Sequence, residues 1–504
     1  MVGDAHQLFI GLDIGTSSAK GVLVDAAGHV IARASGDYPL LVPRPGWTEQ
    51  NPEDWWEAAQ SVLAELVAQA DTAVAGIGLT GQMHGAVFLD AQGAVIRPAI
   101  LWNDQRTGAA CEAIETAVGS ERLRRITGNP ALTGFQAPKI LWLRDNEPEH
   151  YAQLAHVLLP KDYIRYRLSG AFATDVSDAA GTLLLDLEAR NWSEEVLEAL
   201  DIPRGWLPQV FESPDVSAEL SESGAQATGL GAGTPIMAGA GDNAAAAVGG
   251  GIVKSGVALV SVGTSGVVFA HSDNATPDTS GELHCFCHAV PGSYHLMGVS
   301  LASGGSLQWF ADRIASDEAA VAQRLGRNLH ELLAAEAATV APGADDLYFL
   351  PYLAGERTPH MDPDARGAWI GLTLSHDRRH MVRAILEGVA FSLRDSLVRI
   401  EAQGVKPEKL ILGGGGAHSE VWRQILAAVL NKPVAVQRDQ EGPAYGATLL
   451  AAVGAGVHAD VDAAVAAMVE APEHFESPDP ELVAEYAPRY DRFTRLYPAL
   501  RDAL

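Results

Sequence analysis

Cysteine is nearly absent. Cys111, Cys285 and Cys287 are the only three in 504 residues, and so odd and sparse a count offers no disulfide framework and suits a reducing compartment. Cys285 and Cys287 would share one face of a strand, with His284 and His288 beside them. No second ligand pair has the spacing of a tetrahedral zinc site, so a metal is not expected there. Basic residues are also scarce: 35 Lys and Arg stand against 63 Asp and Glu, for a formal charge of −28. That balance excludes nucleic acid as a general partner, because backbone recognition needs a positive footprint. A phosphate-bearing ligand stays open, since backbone N–H groups and a metal can hold phosphate locally. Long apolar runs are missing as well: nothing approaches the roughly 18 residues a membrane span requires. The N-terminus has no basic stretch leading into an apolar run and a small-residue cleavage site. The expected setting is therefore cytoplasmic, with no membrane partner.

What is present is a chain long enough for two domains, with 47% hydrophobic residues. The expected division is 1–248 and 249–504. The pivot is Gly239-Ala-Gly-Asp-Asn-Ala, a small-residue run with one carboxylate, Asp242, and no nearby base to neutralise it. An unpaired carboxylate in low dielectric is costly, so this one is expected at the floor of a cleft as a general base. Near the N-terminus, Leu8–Ile14 reads as a buried strand, Gly15-Thr-Ser-Ser18 as a turn and Lys20–Asp25 as a returning strand. Such a turn offers N–H groups and the Thr16 and Ser17 hydroxyls to phosphate. Asp13 would be repelled by phosphate and makes better sense holding Mg²⁺. No GxxxxGK[ST] loop and no helix-opening GxGxxG occurs here, which removes the P-loop and dinucleotide-binding readings.

Asn51-Pro52-Glu53-Asp54 opens a helix to about Gln69. A small-residue strand, 73–80, then delivers Gln82, Met83 and His84 just beyond its carboxyl end, where open α/β sheets hold ligands. Ala99–Arg106 closes on Trp102, Asn103, Asp104 and Arg106, a set of fixed donors and acceptors beside an aromatic wall that suits a polyol. A helix cap at Asn103 or Asp104 is the competing reading. Asp175, Ser177, Asp178 and Gly181 are expected in a solvated polar loop. In the second half, Gly263-Thr-Ser-Gly266 repeats the first turn between β-rich runs, which suggests a duplicated fold gripping phosphate from two sides. Glu356 and Arg357 could close the entrance or pair with each other. Gly413–Gly416 could let a flat ring slide against the backbone, and a helix is expected to start near Gln440.

These motifs resemble the FGGY family of carbohydrate kinases. The likeness spans nearly the whole chain, through Gly11-Leu-Asp-Ile-Gly-Thr-Ser, Gly81-Gln-Met-His-Gly, Ile100-Leu-Trp-Asn-Asp-Gln-Arg, Leu159-Pro-Lys-Asp-Tyr, Gly241-Asp-Asn-Ala, Ser261-Val-Gly-Thr-Ser-Gly, Pro351–His360 and Gly413–Ala417. It departs at Ser18-Ala19 and at Gln136, none of which is a catalytic candidate. The resemblance implies an α/β fold of two actin-like (ribonuclease H-like) ATPase domains around a central cleft, with ATP and Mg²⁺ as cofactors and a possible homodimer. By position, Asp242 would be the base and Asp13 would serve the metal. Met83, His84, Trp102, Asn103, Asp104, Arg106 and Asn243 would surround the sugar. Thr16, Ser17, Lys20, Thr264 and Ser265 would line the phosphate path, and Gly305, Gly415 and Gly416 would approach the nucleotide. The Met83-His84 pair marks D-xylulose as the expected substrate, with ribulose or another polyol as the alternative. An actin-like ATPase without a sugar substrate is the alternative of another class.

Overall fold

The computed structural model describes residues 7–436, 442–472 and 474–503. Two sheets organise it. The first contains β1 (Leu8–Ile14), β2 (Ser18–Asp25), β3 (Val30–Asp37), β4 (Val74–Gly81), β5 (Val216–Glu219), β6 (Pro235–Met237) and β7 (Ala240–Gly241). Its order is β5-β6-β4-β1-β2-β3, with β7 pairing on β4. The second contains β8 (Val257–Val262), β9 (Gly266–Ser272), β10 (His284–Cys287), β11 (Tyr294–Ser300), β12 (Lys409–Gly413) and β13 (Val434–Val436), in the order β10-β11-β9-β8-β12-β13. In each, the first strand lies between an antiparallel return and a later parallel strand: β2 and β4 beside β1, β9 and β12 beside β8. The duplication suggested by the two Gly-Thr-Ser turns is thus a duplication of topology. Two α/β domains of similar size flank a cleft.

Helices cover the sheets because their apolar faces require it. In the first half these include α1 (Pro52–Val67), α2 (Gln136–Asn146), α3 (Pro160–Ser169), α4 (Val176–Ala180) and α5 (Asp242–Gly249). Helix α1 starts where its sequence directs: the Asn51 side chain accepts the Glu53 N–H, Pro52 occupies the first turn, and Trp55, Ala59, Val62, Leu63 and Leu66 are buried. The second half adds α6 (Gly304–Arg313), α7 (Arg378–Ala402), α8 (Glu420–Leu430), α9 (Gly442–Gly454) and α10 (Pro480–Leu500). Gln440 and Glu441, expected at the start of α9, lie outside the described residues.

Helix α9 belongs late in the chain yet packs on the first sheet. A Cβ at Gly11 of β1 would lie 1.9 Å from the Ala444 carbonyl oxygen, and one at Gly78 of β4 would lie 1.9 Å from that of Ala447. The glycines of the two central strands are there so that this helix can touch the backbone itself. Tyr486 and Tyr490 of α10 are buried against α7, where their hydroxyls donate to Glu387 (2.8 Å) and Asp395 (2.7 Å).

Candidate active site

Register brings the site together. Asp13 of β1 lies beside Thr80 of β4, Ile14 beside Gly81, and Gly241 of β7 beside the same Gly81. The carboxyl ends of three parallel strands therefore present Asp13, the Gln82–His84 segment and Asp242 along one edge. Asp242 is the first residue of α5 and is half-buried. Its Oδ1 accepts from the Asn243 backbone N–H at 2.7 Å and from Asn243 Nδ2 at 2.9 Å. Burial raises its pKa to about 6 despite these bonds. Asp242 is not the solitary acid expected from sequence. Asp13 is close enough that, after burial itself, the charge of Asp242 is the main reason its own pKa rises to about 7, with Lys20 opposing. The two carboxyls form a pair because β1 and β7 both flank β4.

Asp13 Oδ1, Thr80 Oγ1 and Gln82 Oε1 are buried oxygens with no hydrogen-bond partner. Orphaned acceptors at one strand edge, one of them a carboxylate, have the donor chemistry of a hard cation that keeps several of its waters. Mg²⁺ fits Asp13 on that ground.

Each turn is braced. In the first, Gly15 N–H donates to Ser18 O (3.1 Å), Tyr38 OH to Gly15 O (2.5 Å), Gln50 Nε2 to Thr16 O (2.7 Å) and Trp102 Nε1 to Thr16 Oγ1 (3.0 Å). Lys20 sits opposite Asp13 in the β1–β2 ladder, with its side chain exposed. In the second, Gly263 N–H donates to Ser265 O (3.0 Å), while Ser303 and Gly305 N–H both reach Thr264 O (3.0 Å). That bonding seats the N-terminus of α6 on the turn. Around the glycine run, Gly415 faces open space, so a ligand can approach it. Gly416 does not: a Cβ there would lie 2.6 Å from Val262 Cγ1 and 3.1 Å from Trp422. Its missing side chain serves protein packing on that side of the backbone.

The sugar-side residues separate into two groups. Met83 lies against Gly241, and His84 Nδ1 sits 2.6 Å from Gly181 O. A carbonyl can only accept, so Nδ1 carries the proton. Burial holds this ring neutral, with a pKa of about 3, and leaves Nε2 as an acceptor. Phe135 packs edge-on against the ring at 4.8 Å, and Phe286 of β10 stands at 6.2 Å. Buried Lys139 donates to His84 O (2.8 Å) and Gly134 O (2.6 Å), fixing the loop. Trp102 stays 38% exposed, as a wall should.

Asn103 is occupied by Thr48, whose hydroxyl donates to its Oδ1 at 2.6 Å. Asp104 and Arg106 are turned inward. Arg106 donates to both Asp104 oxygens and to Glu49 (2.6 Å), and its guanidinium stacks 3.8 Å over Trp47 and 5.0 Å from Trp142. With side chains 1% and 0% exposed, the pair holds the loop and has no polar group left for a ligand, which corrects its expected contact with the sugar. Glu356 and Arg357 form no ion pair: Glu356 accepts instead from Ser300 Oγ (2.9 Å), Leu301 N (3.0 Å) and Arg357 N (2.7 Å).

The polar segment 175–181, expected in solvent, is buried. Lys161 Nζ reaches Asp162 (2.7 Å), Asp175 (2.8 Å) and Asp178 (3.4 Å). Arg165 adds bonds to Asp162 and to the Ala238 carbonyl just upstream of β7. Ser177 Oγ donates to Asp175 Oδ2 (2.5 Å) and accepts the Gly241 N–H (3.1 Å). This network grips the strand that leads directly into Asp242. Its signal in the sequence is the Lys161-Asp162 pair with Arg165 one helical turn on.

Comparison with known proteins matches this arrangement over its whole length. The profile of the N-terminal domain of FGGY carbohydrate kinases covers residues 8–249, and that of the C-terminal domain covers 258–455. The chain belongs to the FGGY family of carbohydrate kinases. It is 41% identical over 496 residues to the xylulose kinase of Escherichia coli K12, covering 98% of this chain and 99% of that one. The crystal structure of a xylulose kinase from Rhodospirillum rubrum superposes with a TM-score of 0.92 at 34% identity, covering 98% and 99% of the two chains. A gluconate kinase structure from Lactobacillus acidophilus reaches the same TM-score at 28% identity and 98% coverage of both chains. This FGGY kinase is thus an ATP-dependent sugar kinase. Among its described residues, no helix is long and apolar enough to cross a membrane.

Proposed function

We propose that this FGGY kinase transfers the γ-phosphoryl group of ATP to the C5 hydroxyl of D-xylulose. The observation that carries the chemistry is Asp242: a half-buried carboxylate held at its near oxygen by Asn243, with a pKa raised to about 6 by burial. Such a group is ionised at neutral pH yet basic enough to take a proton from an alcohol as that oxygen attacks phosphorus. Asn243 fixes Oδ1 and leaves Oδ2 for the hydroxyl. Thr16, Ser17 and Lys20 from one lobe, and Thr264 and Ser265 from the other, line the phosphate path, where N–H and hydroxyl donors stabilise charge developing on the phosphoryl oxygens. Gly415 leaves backbone open to the nucleotide. Mg²⁺ held through Asp13 would neutralise phosphate charge when bound.

D-xylulose is chosen over other sugars on two supports: the Met83-His84 pair beside Asp242, and the xylulose kinases named above. Neutral His84 offers Nε2 to a sugar hydroxyl, and Trp102 supplies an apolar wall. Domain closure over the cleft would exclude water as a competing acceptor. The domain boundary is placed at 248/249, in the last turn of α5. The test is a panel of D-xylulose, D-ribulose, L-ribulose, D-gluconate, glycerol and xylitol with Mg²⁺ and ATP, following ADP release and locating the phosphate by NMR. D-xylulose 5-phosphate should form with the highest kcat/KM. Preference for gluconate or a ribulose would reject the substrate, and sugar-independent ATP hydrolysis would reject the kinase reading.

A further inference from the structure

One cation near the sugar pocket has no assigned work. Arg357 follows Glu356 in a loop pinned to the end of β11: Thr358 N–H donates to Val299 O (3.0 Å), Val299 N–H to Thr358 Oγ1 (3.1 Å), and Thr358 Oγ1–H to Glu282 O (2.7 Å). The backbone is therefore fixed. Arg357 is half-buried, and its guanidinium forms no hydrogen bond and no ion pair within 4 Å among the described residues, with only the more distant charge of Glu356 acting on it. By contrast, Arg106 and Arg165, buried elsewhere in the molecule, are surrounded by acceptors. An arginine cannot shed its proton to escape burial, so a fork of donors left empty is expected to await an acceptor.

Its place identifies that acceptor. Arg357 Nη2 lies 3.9 Å from the point where a Gly134 Cβ would be, a point only 2.6 Å from the carbonyl oxygen of Trp102. Its charge is felt by His84, on whose ring it acts from the second domain. Met83 packs against Gly241, the residue before Asp242; His84 follows Met83 in the chain, and Arg357 stands beside the Trp102 loop close enough for its charge to act on His84. A sugar whose reacting hydroxyl meets Asp242 would extend its other end past His84 toward the guanidinium.

We propose that Arg357 is a specificity-determining residue, donating its fork to the C1 and C2 oxygens of an open-chain ketose. This rests on the reading above, in which C5 is the phosphorylated end. His84 Nε2 accepts and Arg357 only donates, so the two divide the sugar between a hydroxyl hydrogen and oxygen lone pairs. A site built to hydrogen-bond substrate oxygens discriminates sharply against an analogue lacking one.

The experiment is a cycle between enzyme and substrate, pairing wild type and Arg357→Met with D-xylulose and with 1-deoxy-D-xylulose, which lacks only the C1 oxygen. A charged hydrogen bond to a neutral group predicts a loss of about 10- to 100-fold in kcat/KM for the variant on D-xylulose, mostly in KM. On the deoxy sugar the loss should shrink several-fold, and Arg357→Lys should restore part of the activity on D-xylulose. Melting temperature and the KM for ATP report on folding and on the nucleotide side. Equal losses on both sugars, no loss at all, or a rise confined to the KM for ATP would overturn the proposal. Failure of the wild type to phosphorylate D-xylulose at C5 would instead overturn the reading on which it rests.

Discussion

Replacing Asp13 by Asn should stabilise the protein while disabling it, and the gain should grow with pH. Asp13 is 8% exposed and its Oδ1 has no hydrogen-bond partner. Its pKa rises from 3.8 to about 7, first through burial and then through Asp242. A carboxyl with a raised folded pKa binds its proton more tightly in the folded state. Its contribution is therefore favourable below the unfolded value and is lost as pH rises through the folded one. Relative to a protonated group, ionisation at pH 8 costs the fold about 4 kcal/mol, against about 2 kcal/mol at pH 5. Asparagine carries no charge at either pH, so Asp13→Asn should melt several degrees higher than wild type at pH 8 and gain less at pH 5. Mg²⁺ should raise the wild-type melting temperature at pH 8 and leave the variant unmoved. Scanning calorimetry in metal-free and Mg²⁺-containing buffers reads all of this. A variant that melts no higher than wild type at pH 8, or gains more at pH 5, would refute the reasoning.

Lys161→Met should cost about 3–5 kcal/mol in denaturant unfolding, because it strands Asp175 and Asp178 without their shared ammonium and leaves Asp162 with Arg165 alone. A loss below 1 kcal/mol would show that those acids are neutral or solvated. Gly415→Val and Gly416→Val should part company: the first weakens nucleotide binding at unchanged melting temperature, the second lowers the melting temperature by crowding Val262 and Trp422. Identical effects in both assays would contradict the assignment of one glycine to the ligand and the other to packing.

Much of the site can be read along the chain because its chemistry sits in short segments. Asp13 with the Gly15–Ser18 turn, Met83-His84 and Asp242 each declare themselves by a carboxylate, a bend or a ring at a strand end. The repeated Gly-Thr-Ser announces the duplicated strand order of the two sheets. What stays hidden depends on partners far away in sequence. Asp175, Ser177 and Asp178 have the composition of a solvated turn, and the ammonium of Lys161, distant in sequence, makes their burial tolerable. Asp104 and Arg106 look like sugar ligands until Glu49, Trp47 and Trp142 converge on them from other elements. The proximity of Asp13 to Asp242 across some 230 residues follows from strand order, since both flank β4. Helix α9 returning to the first sheet leaves no local mark except the glycines that let it approach.

The central claim is proton abstraction by Asp242, and its most direct test is turnover by Asp242→Ala with saturating D-xylulose, ATP and Mg²⁺, alongside nucleotide affinity by calorimetry. Nucleotide binding should persist while phosphoryl transfer falls by at least about 10³-fold. Turnover within about tenfold of wild type, with binding intact, would contradict the account.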